Sequence, residues 1–463
     1  MTAAMAELPP GAVPVQTHIE SVDERASRGR ALRTLRPRSE QAAFEPSARR
    51  RDPVEILIEQ GESRLPNLLP LRYTRMKVSP FAFFRGGAAV MTADLAGTPA
   101  TGLQVQACGD CHLLNFGGFA TPERRLVFDI NDFDETSVAP WEWDLKRLAT
   151  SFVLATLDIL DKDGRIDLAE SVARGYRETM ARIADTPLLE AWYGGVLLDS
   201  ETRAQDIGIG AAALRKAVGF LTHPAIVPLG HGGGPQPRIQ DSPPLVFHAP
   251  EAEAQAFRLG AEVMYADYLN SLYLAPRVLL ERFRLADVAY KVVGVGSVGT
   301  LSGVLLLLSG NGEALYLQFK EATRSVLEPH AGSSPFGHHG ERVVRGQRLL
   351  QAASDILLGY GNGPTGRHIY VRQLRDAKVK PQLETMTPRH FRRYAETCGE
   401  VLARAHARTA DAVVLSAYMG KSTTLDEAIG AFAQSYARQT ESDHSALQQA
   451  IKAGRLPDAA QDS

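Results

Sequence analysis

The chain has 463 residues, 44% of them hydrophobic, and its 51 basic and 53 acidic side chains give a net charge of −2. This length suffices for two or three domains with a large core. The nearly balanced charge and the pI near 6.7 argue against a protein that mainly coats nucleic acid or an anionic membrane. We therefore expect no nucleic-acid partner and no membrane partner.

The sequence also predicts a location. No apolar run approaches the roughly 18 residues of a membrane-spanning helix, and residues 1–20 lack the basic and apolar regions of an export signal. The three cysteines, Cys108, Cys111 and Cys398, are too few and too irregularly spaced for a disulfide framework. We therefore expect a cytoplasmic protein.

The first part of the chain predicts a basic arm followed by a mostly helical large lobe. Residues 1–52 are rich in Pro, Ala and Arg without an apolar period, so we expect an arm that is mobile or draped on the surface. Residues 53–285 form the large lobe. Its apolar spacing predicts helices over 54–58, 80–95, 144–220 and 257–283, a Gly/Pro-rich linker over 230–244, and strands at Val105 and over 126–130.

The later part predicts a small lobe built on an antiparallel sheet, over residues 286–384. Short apolar runs over 301–308, 315–319 and 369–371 alternate with glycine turns and indicate strands, with one helix over 341–358. Residues 385–455 are expected to return to the large lobe as helices, because the segment 389–408 carries its apolar residues on one helical face, and a tail follows over 456–463. The predicted fold class is α+β.

Acids and amides cluster in the loop predicted between the first two strands and in the turn predicted after the second one. Residues 109–115 read Gly-Asp-Cys-His-Leu-Leu-Asn, and residues 131–134 read Asn-Asp-Phe-Asp. Phosphoryl transfer needs a group that orients the attacking hydroxyl and ligands for Mg²⁺. Asp110 is the candidate base. Asn115, Asp132 and Asp134 offer the oxygen ligands that Mg²⁺ prefers.

A glycine-rich segment between two later apolar runs supplies the other half of such a site. Gly294, Gly296 and Gly299 would let the backbone approach phosphate groups, with Ser297 at the tip. Lys320, about twenty residues further on, would bind the α- and β-phosphates of a nucleotide. A lone glycine motif is often only a turn, and a lone Lys in a strand is often a structural ion pair, so the joint occurrence carries the prediction.

A kinase-like site also needs a carboxylate that holds the lysine in place. Glu341 is the first choice for this role and Glu328 the second. Glu321 ranks last, because adjacent residues of a strand point to opposite faces and Glu321 directly follows Lys320.

These motifs, together with Pro140 and the Asp144-Leu145 pair, resemble the aminoglycoside-phosphotransferase branch of the protein-kinase-like superfamily. The resemblance implies a two-lobed fold, ATP and Mg²⁺ as cofactors, and phosphoryl transfer to a hydroxyl acceptor that the sequence does not identify. The acid loop precedes the glycine segment here, so the resemblance implies a circularly permuted order. The helix over 389–408 resembles the one that enters the catalytic loop in that superfamily, and the helix that starts at Pro80 competes for the position.

Over residues 28–450 the chain also resembles the bacterial family called domain of unknown function 2252, whose name brings no activity. The segments 70–76, 79–86 and 293–300 are the most specific marks of that resemblance.

Several further side chains have two interpretations. Arg72, Arg75 and Arg85 could contact an anionic substrate or the γ-phosphate, since guanidinium groups bind phosphate in bidentate fashion, or they could form structural ion pairs. His112 could contact the substrate as well. Asp144 is expected to be structural and to tie its helix to the acid loop.

Other functions remain open at this point. A nucleotide-binding module without transfer activity, or a nucleotidyl transferase, would keep the same loop and lysine. Cys108, Cys111 and His112 also form a literal Cys-x-x-Cys-His, which is the attachment signature of c-type haem and offers three of the four ligands of a zinc site. The absence of an export signal argues against haem, and the missing fourth ligand argues against zinc.

Overall fold

The fold was established from a computed structural model, which describes residues 19–222, 237–292, 294, 296, 298–374 and 377–459. The chain is a mixture of helices and antiparallel sheets, as the α+β prediction requires, and 54% of it is helical. The helices are α1 Val22–Leu35, α2 Pro53–Glu62, α3 Leu69–Met76, α4 Pro80–Gly86, α5 Ala88–Leu95, α6 Trp141–Ala155, α7 Lys162–Ala184, α8 Leu188–Tyr193, α9 Glu201–Asp206, α10 Ala211–Thr222, α11 Glu251–Ser271, α12 Leu274–Leu280, α13 Glu328–Ala331, α14 His339–Leu350, α15 Pro388–Ala407, α16 Ala412–Met419 and α17 Thr424–Lys452.

The described strands form three antiparallel sheets, which include a curled half-barrel. The strands are β1 Gln104–Ala107, β2 Phe116–Ala120, β3 Leu126–Ile130, β4 Ser137–Pro140, β5 Val196–Leu197, β6 Val246–Phe247, β7 Phe283–Lys291, β8 Ser302–Ser309, β9 Ala314–Glu321, β10 Gly359–Asn362 and β11 His368–Gln373. The largest sheet has the order β10-β11-β9-β8-β7-β6, and the two smaller sheets have the orders β1-β4 and β2-β3-β5.

The six-stranded sheet has a different environment on each face. Leu317 and Phe319 of β9 pack in a cluster with Met264 of α11, whereas Gln318 and Lys320 alternate with them and therefore point to the other face. The predicted strands over 301–308, 315–319 and 369–371 all lie in this sheet. Its Lys320 face is consequently the one that turns away from α11.

The helical part of the molecule centres on α6, α7, α15 and α17, which pack against one another. Every residue of α6 except Ala155 is buried, as expected for a helix surrounded by other elements. Trp141 of α6 stacks on Tyr176 of α7 with ring centroids 5.6 Å apart. This rigid core carries β1 and the loop that follows it, so residues 110–115 lie between two strands as predicted.

Three predicted helices differ in extent from the observed ones. The helix over 80–95 divides at Gly87 into α4 and α5. The helix over 257–283 is replaced by α11 and α12, and β7 starts at its end. The helix over 341–358 ends at Leu350, because Gln351 leaves the helix and its Nε2 donates to the Ile130 carbonyl at 2.7 Å.

The N-terminal arm was expected to be mobile or draped on the surface, and its described part, residues 19–52, lies on the surface of the helical part of the molecule with most of its residues exposed or half-buried. Helix α1 packs on α16, and a Cβ at Gly29 would lie only 2.3 Å from the Val414 carbonyl oxygen. Arg33 and Arg38 donate to carbonyl oxygens at the end of α16, with Arg33 Nε 2.8 Å from the Tyr418 oxygen. Hydrogen bonds from arginines therefore attach α1 to α16, and such contacts produce no apolar pattern in the sequence. Residues 1–18 of the predicted arm lie outside the described residues.

The linker predicted over 230–244 falls partly outside the described residues, which resume at 237. Among the helices that the structure describes, none is both long enough and apolar enough to cross a bilayer.

Candidate functional site

A buried carboxylate binds the backbone of the loop that carries Asp110. Asp144 of α6 accepts the backbone N–H groups of Cys108 at 2.7 Å and Gly109 at 3.0 Å. Its Oδ2 also lies 3.2 Å from Nε2 of His406 on α15, whose Nδ1 lies 2.9 Å from the Tyr176 hydroxyl. These bonds lower the pKa of Asp144 against the effect of its burial. The structural role predicted for Asp144 agrees with these contacts.

Asp110 faces the glycine segment. Its Oδ1 accepts two hydrogen bonds from the Arg147 guanidinium, one of them at 2.8 Å from Nε. Its Oδ2 lies 3.8 Å from Nε2 of His112. A Cβ placed on Gly296 would lie 3.7 Å from the same Oδ2. The structure therefore brings together residues that are almost two hundred positions apart in the sequence.

The glycine segment is attached to the helical part on its other side. The Gly299 carbonyl accepts the backbone N–H of Leu65 at 2.7 Å, and Arg64 Nη1 donates to the Val298 carbonyl at 2.6 Å. Gly299 has a φ of +95°, a conformation that glycine adopts without strain. A Cβ on Gly294 would lie 4.0 Å from Arg85 Nη2. Ser297, the predicted tip, lies outside the described residues.

Lys320 is paired with Asp134 rather than with Glu341. Its Nζ donates to Asp134 Oδ2, and the Tyr370 hydroxyl donates to Oδ1 of the same carboxylate at 2.6 Å. Burial alone would lower the pKa of Lys320, but the Asp132 and Asp134 carboxylates raise it above its ordinary value. Lys320 is therefore a fully charged ammonium group at the edge of the acid cluster.

The predicted pairing of Lys320 with Glu341 is thus not found. Glu341 forms an ion pair one turn along its own helix with Arg345 at 3.3 Å. The second choice, Glu328, pairs with Arg324 at 3.3 Å. Helix α14 instead turns Arg342 towards the site, where its Nη2 donates to the Asp134 carbonyl at 2.8 Å.

Glu321 binds Arg367 at 2.6 Å. This residue was ranked last because it was expected to lie on the face of β9 opposite to Lys320.

The three candidate metal ligands belong to one hydrogen-bonded unit. Asn115 Nδ2 donates to the Asp110 carbonyl at 2.7 Å, and the Asn115 carbonyl accepts the N–H of Asn131 at 2.7 Å. Burial and the neighbouring Asp134 raise the pKa of Asp132. Burial would also raise the pKa of Asp134, but Lys320 and Tyr370 hold it at about 2.

The neighbouring carboxylates of Asp132 and Asp134 are ligands that suit a hard divalent cation. The cation would relieve the repulsion that raises the pKa of Asp132.

The predicted arginines separate into different roles. Arg72 is wholly buried and donates to the Gly86 carbonyl at 3.1 Å and to Gln60 at 3.2 Å, so the substrate-contact interpretation is wrong for it. Arg75 lies half-buried on α3. Arg85 lies beside both the glycine segment and Asp110, and its Nε is buried without a hydrogen-bond partner. Arg85 is therefore the predicted arginine best placed to meet a phosphate group.

Residues 64–450 match the family described as an uncharacterized protein conserved in bacteria, domain of unknown function 2252. The chain belongs to this family. The match begins later than the resemblance noted from residue 28, yet it contains the acid loop, the glycine segment and Lys320. No curated protein and no solved structure matches the chain, so membership of the DUF2252 family brings no activity with it.

The cysteines of this DUF2252 protein do not fit haem attachment or a zinc site. Cys108 and Cys111 are buried, and burial raises the pKa of both thiols. Their sulfur atoms and an Asp144 oxygen lie within 4.8 Å of one another, but Asp144 is engaged by the loop backbone. Neutral thiols are poor metal ligands and poor nucleophiles. His112 is directed to Asp110, where burial and the charges of Arg85 and Arg147 lower its pKa.

Sequence reasoning missed four residues around the acids of this DUF2252 site. Arg147 and Arg342 bind Asp110 and the backbone at Asp134, as described above. Tyr370 and Arg372 come from β11, where Arg372 Nη1 donates to the Asn131 carbonyl at 3.1 Å. The sequence could have indicated Arg147, because it follows Asp144 by three residues and so lies on the same side of α6. The other three come from distant elements and gave no local signal.

Proposed function

We propose that this DUF2252 protein is an ATP- and Mg²⁺-dependent phosphotransferase that acts on a hydroxyl acceptor. The observation that carries the proposal is convergence. Gly296 adjoins Asp110, and Lys320 binds Asp134, so residues of the two sequence motifs lie next to one another. Phosphoryl transfer requires this combination of an acid loop, a close backbone and a cation.

The order of elements in the six-stranded sheet supports a kinase-like small lobe. The glycine segment connects β7 to β8, Lys320 lies near the end of β9, helix α14 follows, and β10 and β11 complete the sheet. Kinases likewise place the phosphate lysine on the third strand, after a glycine loop and before a helix. The departure is the lysine partner, because Asp134 takes the position expected for a carboxylate of α14.

A circular permutation is supported by the contact between α15 and β1. The backbone N–H of Gln106 donates to Thr409 Oγ1 at 2.9 Å, so the end of α15 adjoins the strand that leads into the acid loop. His406, near the end of α15, binds Asp144 under that loop. In an unpermuted chain a short connection between Thr409 and Gln106 would restore the kinase order.

In the proposed reaction Asp110 Oδ2 accepts the proton of the acceptor hydroxyl while Arg147 fixes the carboxylate through Oδ1. The acceptor oxygen bonds to the γ-phosphorus, the bond from that phosphorus to the β-bridging oxygen breaks, and ADP leaves. Lys320 and the backbone of the glycine segment bind the phosphates. Mg²⁺ would be held by Asn115, Asp132 and Asp134 and would neutralise charge on the phosphates.

The test measures binding and transfer separately. We expect Asp132→Ala to abolish Mg²⁺-dependent binding of a non-hydrolysable ATP analogue in calorimetry. Asp110→Ala should retain binding and lose release of label from γ-³²P-ATP. Glu341→Gln is the matched control and should leave both unchanged, because Glu341 forms an ion pair with Arg345 of its own helix and not with Lys320.

Unchanged turnover in Asp110→Ala would reject Asp110 as the base. Transfer of label from α-³²P-ATP would identify a nucleotidyl transferase, and binding without transfer of either label would identify a silent nucleotide-binding module. Absence of nucleotide binding in the folded wild-type protein would reject the proposal altogether.

A further inference from the structure

A cavity lies beside the acid cluster, with Asn131 and Arg372 in its lining. It has a volume of about 220 Å³ and lies between β2, α14 and β11. Its lining combines apolar side chains with polar and charged ones, which include Asn131, Gln347, Gln351, Arg372 and Lys378. This volume admits a single acidic group with a few attached atoms and is too small for a nucleoside triphosphate.

The described lining carries an excess of positive charge. Arg124 and Arg372, with Lys378 when it is protonated, stand against one carboxylate, Asp355. Asp355 already accepts the backbone N–H groups of Gln373 at 2.6 Å and Leu357 at 2.8 Å. The Arg372 guanidinium lowers the pKa of Lys378, as expected for two neighbouring cations. An anion between these two side chains would remove the repulsion.

The cavity is connected to the proposed reaction site by Asn131. Its carbonyl accepts Arg372 Nη1 at 3.1 Å, its N–H binds Asn115, and Asp132 follows it directly. A Cβ on Gly117 would lie 2.6 Å from Asn131 Nδ2, so the absence of a side chain on β2 leaves room for this amide. The opposite wall is fixed, because Gln347 Nε2 donates to Gln351 Oε1 at 3.1 Å.

We infer that this cavity binds the carboxylate or phosphate group of the acceptor, so that the second substrate is an acid. The inference rests on the proposed function, since it assigns the acceptor of that reaction. The donor triphosphate would contact Lys320 and the glycine segment, whereas Arg372 and Lys378 line the separate cavity, where Arg372 also donates to the Asn131 carbonyl. A cationic aminoglycoside would be repelled by the same charges.

The inference is tested by calorimetry on the full chain without nucleotide, with inorganic phosphate and with acetate as probes. We expect at least one probe to bind, and the stronger one names the acidic group. Lys378→Gln should weaken that binding about tenfold, the effect of losing one charge-assisted hydrogen bond, and Lys378→Arg should retain it. Lys216→Gln, which removes an exposed cation of α10, is the control and should change nothing.

Two outcomes overturn the inference. The first is equal affinity of wild type and Lys378→Gln for the probe. The second is loss of probe binding in Lys320→Met with retention in Lys378→Gln, since the anion would then occupy the donor site. Lys378 is exposed, so its replacement should leave the thermal unfolding midpoint unchanged and the variant folded.

The same variants separate this inference from the proposed function. Lys378→Gln should leave the affinity for the ATP analogue unchanged, and a weaker affinity would overturn the inference by showing that the cavity holds part of the nucleotide. If wild type binds the probe through Lys378 but binds no nucleotide, the phosphotransferase proposal fails while the anion site stands.

Discussion

At the scale of single residues, the carboxylates of the site differ in the groups that they bind. Asp110 has Arg147 as a partner and Asp134 has Lys320. Glu135 lies in the same turn. Its Oε2 accepts a hydrogen bond from the backbone N–H of Val326 at 2.8 Å. Burial raises the pKa of Glu135 to about 7, against the opposing effect of that bond and of Arg342. Glu135 therefore changes charge near neutral pH beside the proposed base.

Glu135→Gln should remove a pH dependence of stability. Between pH 4.5, the ordinary pKa of a glutamate, and about 7 the folded protein binds more protons than the unfolded chain. Stability therefore falls as the pH rises through this window. We expect wild type and Glu135→Gln to be equally stable below pH 4.5. Above pH 7 the variant should be more stable by about 1 kcal/mol, after allowance for solvent screening of this half-buried side chain.

Urea unfolding at pH 5 and pH 8 measures the difference. A stability difference between the two proteins that is the same at both pH values would show that Glu135 titrates normally.

At the scale of elements, the acid loop is shaped by a backbone contact that admits no side chain. Gly109 has a φ of +84°, and a Cβ there would lie 2.3 Å from the Glu135 carbonyl oxygen. The loop after β1 and the turn after β3 therefore touch through main-chain atoms. This contact brings the segment that carries Asp110 against the turn that carries Asp132 and Asp134.

Gly109→Ala should lower the free energy of unfolding by much more than a substitution that introduces backbone strain alone. Gly312, in the turn between β8 and β9, has a φ of +82° and would meet no atom within 4 Å, which makes it a matched control. We expect Gly312→Ala to cost about 1–2 kcal/mol. Gly109→Ala should cost more than about 3 kcal/mol and weaken Mg²⁺-dependent nucleotide binding. Urea unfolding and calorimetry of both variants provide the comparison, and equal costs would contradict the contact.

The spacing of apolar residues predicted a helix well where the helix has an apolar face. It failed where hydrogen bonds from polar side chains attach the helix to the rest of the molecule. The helical spacing of Phe391, Tyr394 and Cys398 located α15 to within a residue at each end. Helix α1 has no such face, because it is held by arginines that donate to carbonyl groups, and it was missed. The lysine partner was missed for a related reason: Asp134 reaches Lys320 through the tertiary fold, and spacing in the sequence carries no information about such a pair.

At the scale of the whole molecule, the six-stranded sheet and the helical part are joined by charges as well as by apolar packing. Lys320 of the sheet binds Asp134, Arg372 binds the Asn131 carbonyl, and Arg64 binds the Val298 carbonyl from the opposite direction. Each contact links segments far apart in the chain. These contacts hold the acids, the lysine and the glycine segment near one another.

The strength of the Lys320–Asp134 connection is measurable in a double-mutant cycle. Lys320→Met leaves the half-buried Asp134 beside Asp132 without its cation, which should cost about 3 kcal/mol. Adding Asp134→Asn removes the uncompensated charge, so the double variant should be less destabilised than the sum of the single variants. The exposed pair Glu341 and Arg345, replaced by Gln singly and together, is the control and should show a coupling of about 0.5 kcal/mol or less. Urea unfolding gives all the free energies. If the effects of the Lys320 and Asp134 substitutions are additive, their ion pair does not join the six-stranded sheet to the helical part.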